Sequence, residues 1–139
     1  MKYLLIVYLT FLSLYSFSQT AIENFDDCSG EIFYIKVEEE PQFDNLGEDL
    51  YTYLNNAFEN YKLFDKANGK IWISIIINEK GKACCKSFGN KTNKEVDSGI
   101  VREIINNMPN WKPAKQAGEI VVFLNNLILT VENGKIIKQ

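Results

Sequence analysis

The chain has 139 residues, 46% of them apolar, and a formal net charge of −3. That length suits one domain with a core of its own, which needs no metal or disulfide to stand. The modest acidic excess removes any electrostatic reason to bind nucleic acid or an anionic membrane surface.

Taken in chain order, Lys2 and the apolar run Tyr3 to Phe17 read as an export signal. Small Ser16 and Ser18 flank Phe17, so cleavage is expected after Ser18. The run falls short of the roughly 20 residues needed to cross a bilayer core. The mature protein is therefore expected in the periplasm and not in the membrane. Residues 19–36 form a lead-in with a first strand: 19–30 is polar and small, and the stretch from Glu31 to Val37 alternates apolar and polar side chains as a strand would. Pro41 ends regular pairing there. Asn45-x-x-Glu48 reads as a helix start. Leu46, Leu50, Tyr53, Leu54, Ala57, Phe58 and Tyr61 then share one helical face, which predicts a helix from Asn45 to about Asn60.

Ile71, Ile73, Ile75 and Ile77 recur at period two and predict a half-buried strand. Asn78 to Gly81 forms its turn, and Lys82 to Phe88 returns as the partner strand. Thr92-x-x-Glu95 matches a capping box, and Val96, Ile100, Val101, Ile104, Ile105 and Met108 line the helix behind it. Pro109 stops that helix. Glu119 to Val131 is long and β-rich, and Asn133-Gly134 predicts a tight turn into a short last strand at Ile136 and Ile137. The order β-α-β-β-α-β-β predicts an α+β domain, an antiparallel sheet with both helices on one face.

The chain contains no histidine. That excludes Ser-His-Asp and Cys-His nucleophiles and every histidine-bearing zinc motif. Neither a dinucleotide fingerprint nor a P-loop occurs, and no carboxylate pair is singled out by spacing. The expectation is a protein that is not an enzyme and carries no cofactor or metal. Cys28, Cys84 and Cys85 all follow the leader. Adjacent residues on a strand face opposite ways, so Cys28 can bridge to Cys84 or to Cys85, or all three can stay free. A vicinal thiol pair working in disulfide exchange is the one enzymatic alternative.

Pro41-Gln42-Phe43, the strand from Gly69 through Ile77 with its Asn78 to Gly81 turn, and above all Met108-Pro109-Asn110-Trp111-Lys112-Pro113 resemble the C-terminal domain of TonB. The resemblance covers roughly residues 37–131 and leaves 132–139 as a hairpin extension. It implies binding of an extended partner segment as an added strand, such as the N-terminal segment of an outer-membrane transporter. The edge it implies lies along Glu119–Val131, with Val121, Phe123, Asn125 and Leu127 as contact residues. A homodimer using the same edge is the alternative, in a structural or assembly role. Transducers of the family also have a membrane anchor and a long spacer. Neither is visible here, so energy transduction is not expected.

Overall fold

The computed structural model describes residues 22–26, 28 and 32–138. The expected leader at 1–18 lies outside them. Among the described residues no helix is long and apolar enough to cross a membrane. The architecture is α+β, with a mainly antiparallel sheet and two helices.

The elements are β1 (Ile22–Asn24), β2 (Gln42–Phe43), α1 (Leu50–Asn60), β3 (Gly69–Ile77), β4 (Ala83–Thr92), α2 (Ser98–Asn106), β5 (Trp111–Lys112), β6 (Ala114–Gln116), β7 (Glu119–Val121), β8 (Phe123–Glu132) and β9 (Lys135–Ile137). The main sheet has the order β1-β4-β3-β8-β9, and β2-β5 and β6-β7 form two small ribbons. β3 sits at the centre because it buries the period-two isoleucines. Ile71, Ile73, Ile75 and Ile77 point to the helices and join Leu54 and Phe58 of α1 and Val101, Ile104 and Ile105 of α2 in one core.

One irregularity reorganises β4. The register shifts between Ser74 and Ile75, so that Ser74 faces Ser87 while Ile75 faces Cys85, and Lys86 is left over. This bulge puts both Cys85 and Phe88 on the core face, which a strictly alternating strand could not do. The Cys85 amide is met by the Asn106 side chain at 2.7 Å.

Several expected boundaries move. The alternating stretch from Glu31 to Val37 is not a strand where it is described. It makes one isolated parallel bridge, Tyr34 to Phe123, and Ile32 stays 93% exposed. The first strand is Ile22–Asn24 instead, paired with β4. Pro41 does not end pairing either, since β2 follows it at once and pairs with β5. Asn45 does not cap α1. Leu46 and Gly47 take positive φ and fold Asn45-x-x-Glu48 into a tight turn, with Leu46 left on the surface. The cap is Asp49, which accepts from the Thr52 amide at 2.9 Å. That bond first, and Lys138 beside it, hold the Asp49 carboxyl below its ordinary pKa. Thr92 likewise ends β4 rather than capping α2. Asp97 does that, accepting from the amides of Gly99 and Ile100. The stretch Glu119–Val131 splits at Val122 into β7 and β8. The hairpin β3–β4 and the Asn133-Gly134 turn into β9 form where the sequence puts them.

Because Asp97 and not Thr92 satisfies the first turn of α2, Asp97→Ala is expected to cost about 1 kcal/mol in urea unfolding. Glu95→Ala, which a capping box would make costly, is expected to change stability by less than about 0.5 kcal/mol.

Candidate partner-binding edge

Pro41-Gln42-Phe43 and the stretch from Met108 to Pro113 meet in space. Phe43 of β2 lies against Trp111 of β5, ring centres 5.4 Å apart and nearly perpendicular, and Phe43 also touches Tyr53 of α1. Trp111 is buried and its indole N–H donates to the Met108 sulfur at 3.3 Å. The Trp111 amide donates to the Gly81 carbonyl at 2.8 Å. Gly81 is required there. A Cβ at its φ of +77° would sit 1.9 Å from the Trp111 carbonyl oxygen. Met108 and Trp111 thus lock the chain leaving α2 onto the β3–β4 turn. Pro109 ends α2, and Pro113 separates β5 from β6. These residues hold the fold together; a partner would not touch the buried pair.

The cysteines divide by face. Cys84 lies opposite Ile76 on the face away from the helices, whereas Cys85 lies opposite Ile75 on the core face. Cys28 bonds to Cys84, which anchors the lead-in where β1 already pairs with Ser87 to Gly89. Cys85 is a free, buried thiol. Burial pushes its pKa up to about 12, against a small opposing hydrogen bond to Ser87, so at neutral pH it is a protonated apolar side chain. The adjacent pair is therefore not a dithiol in this structure.

What remains is the β8 side of the sheet. In an antiparallel ladder each residue turns its N–H and C=O to the same side, and successive residues alternate. Leu124 donates its amide away from β3, to the Tyr34 carbonyl at 2.9 Å, and Tyr34 donates back to the Val122 carbonyl at 2.8 Å. That fixes the phase. Asn125, Leu127 and Leu129 turn their main-chain groups to β3, and Leu124, Asn126 and Ile128 turn theirs outward. The four residues expected at the edge are out of step with this. Val121 lies in the separate β6–β7 ribbon, Phe123 is 6% exposed on the core face, and the main-chain groups of Asn125 and Leu127 are directed to β3. The strand expected is the strand found, but its outward residues are the alternate set.

Both ends of this edge are closed. Tyr34 covers one end. At the other, β9 pairs Thr130, Val131 and Glu132. β9 in turn has its own outer edge filled by the Asn55 side chain, which donates to the Ile136 carbonyl at 3.0 Å and accepts from the Ile136 amide at 2.8 Å. Between Tyr34 and β9 lies a window of β8, residues 125–129, about 17 Å long at roughly 3.4 Å per residue. Within it the outward groups of Asn126 and Ile128 have no main-chain partner among the described residues. Ile128 is 61% exposed. Nothing in the sequence marks this window, because it is defined by what Tyr34 and β9 cover.

No family model, no curated protein and no solved structure matches the chain.

The disulfide closes a loop with a sequence separation of 56. A Cys28→Ser/Cys84→Ser variant is expected to lose about 2–4 kcal/mol of stability in denaturant titration. In the native wild type, Cys85 is expected to resist iodoacetamide at pH 8 and to react only on unfolding. Rapid native labelling would show that the core face is open.

Proposed function

We propose that this is an exported interaction module which binds an extended segment of a protein partner by adding it as a strand to the open window of β8. The reading rests on one observation, the outward main-chain groups of Asn126 and Ile128 between two covered stretches of the same edge. Exposed, unpaired strand edges are usually blunted. Here Tyr34, β9 and Asn55 do so on either side and leave this stretch alone. The resemblance to the C-terminal domain of TonB, carried by Phe43, Met108, Pro109, Trp111 and Pro113, supports the same mode of action. It makes an outer-membrane transporter's N-terminal segment the first partner to test.

The alternative, a homodimer through β8, fits less well. A second β8 has ten residues, twice the window, and would run into Tyr34 at one end and Ile137 at the other. Disulfide exchange fits least well, since Cys84 is engaged with Cys28 and Cys85 is buried and protonated.

The test is photo-cross-linking in envelopes of the cell that makes the protein, with a photo-reactive residue at Ile128 and a control at exposed Ile120 on the β6–β7 ribbon. Links from position 128, and not from 120, to an extended periplasmic segment of another protein are expected. Links from 128 to copies of the same chain would favour assembly, and equal links from both positions would remove the edge as a site.

A further inference from the structure

Resting on the strand-addition reading, the side chains around the window say what kind of segment it takes. Asn126 and Ile128 offer four main-chain groups. The net gain from four such hydrogen bonds is no larger than the freedom lost on association and ordering. Main-chain pairing alone therefore leaves little affinity, and side-chain contacts must decide which segment stays.

On the face away from the helices, the sheet is organised in rows that cross the strands. One row is apolar. Ile22 of β1 and Trp72 of β3 meet over Gly89 of β4, where a Cβ would sit 3.4 Å from the Ile22 side chain and 3.6 Å from the indole. Trp72 is paired in turn with Ile128 of β8. This row runs across four strands and ends, exposed, at the window. The neighbouring row is polar. Asn24 is opposite Ser87, Ser87 opposite Ser74, and Ser74 opposite Asn126, with the Ser74 hydroxyl 2.6 Å from the Asn126 amide oxygen. It too ends at the window. Between the two positions, Leu127 turns a half-buried side chain to the helix face.

The two ends of the window differ in direction: the single Tyr34–Phe123 bridge is parallel, whereas β9 is a three-residue antiparallel ladder that pairs Ile137 with Thr130 next to the window. The longer ladder sets the direction taken here. Among the described residues β9 ends at Ile137, and the Lys138 side chain reaches α1, its ammonium 3.6 Å from Asp49 and over the Tyr51 ring.

We infer that the window selects a short extended segment running antiparallel to β8, with an apolar residue opposite Ile128, a second apolar residue opposite Leu127, and an amide or hydroxyl residue opposite Asn126. The segment thus reads apolar-apolar-polar from its N-terminus. It continues the Trp72–Ile128 row with apolar contact and the Ser74–Asn126 row with a hydrogen bond, while its main chain bonds Asn126 and Ile128. Five residues fill the space before Tyr34 is reached.

The probes are two peptides of identical composition, acetyl-TIVNT-amide and acetyl-TNVIT-amide, titrated into the intact 15N-labelled protein. The first places Ile opposite Ile128 and Asn opposite Asn126; the second reverses them. Two matched cross-strand pairs are expected to make TIVNT bind roughly two- to thirtyfold more tightly, shifting the amides of Asn126 and Ile128. The double variant Asn126→Ile/Ile128→Asn should reverse the preference, with unchanged β3 amide shifts showing that the fold is kept. Equal affinities with shifts at Asn126 and Ile128 would overturn the row reading and leave strand addition standing. A wild-type preference for TNVIT would overturn the antiparallel direction. If neither peptide moves those amides, this inference fails, while strand addition stands or falls on the cross-links from position 128.

Discussion

A sheet edge leaves every second residue with an amide and a carbonyl that no neighbouring strand answers, and these groups are costly to bury and sticky to leave open. Along the β8–β9 side of this protein that need is met piece by piece. Tyr34 borrows one residue of the lead-in to bond Val122 and Leu124. β9 folds back from the Asn133-Gly134 turn to cover Thr130 to Glu132. Asn55 then reaches from α1 with an amide side chain that imitates a strand residue for Ile136. The gap at Asn126 and Ile128 is defined by these three devices, and the proposed function depends on it.

The devices work because the frame behind them is rigid. β3 is hydrogen-bonded on both sides along its whole length, to β4 and to β8, and its four core-facing isoleucines tie both helices to the sheet. The Trp111–Gly81 contact and the Phe43–Trp111 edge-to-face pair fix the loop after α2 against the β3–β4 turn. On the opposite edge, β1 and the Cys28–Cys84 bond hold the lead-in on β4. A short strand such as β1 has little hold of its own, and the covalent link keeps it close. Arg102 of α2 packs over the Phe25 ring at the same place, so the lead-in is held by the helix layer as well as by the sheet.

Much of this was legible in the residue pattern, and the exceptions share a cause. Period two in Ile71 to Ile77 and the Asn133-Gly134 dipeptide mark β3 and the last turn, because each is decided by local geometry and one buried face. The helix faces were legible too, since Leu54, Phe58, Val101, Ile104 and Ile105 are all buried. Helix starts were not. Asn45 and Thr92 have the chemistry of a cap, but so do Asp49 and Asp97, and the positive φ of Leu46 and Gly47 decides the first case. Where it is described, the stretch expected as a strand from Glu31 to Val37 makes a single bridge to β8, at Tyr34. The bulge at Lys86 was invisible, as it depends on β4 meeting both β3 and α2. The edge strand is legible but its outward phase is not, since Asn125 and Leu127 turn their main-chain groups to β3. Phase is fixed by the Leu124–Tyr34 bond, a contact between residues far apart in the chain.

Amide hydrogen exchange on the native protein tests, without any partner, whether β8 carries an open window bounded by Tyr34 and β9. The amides of Asn126 and Ile128 are predicted to exchange rapidly, while those of Leu124, Asn125, Leu127 and Leu129 are protected. Protection at Asn126 and Ile128 equal to that of their neighbours would mean that the edge is already closed in solution, and the account of this protein as a strand-accepting module would be contradicted.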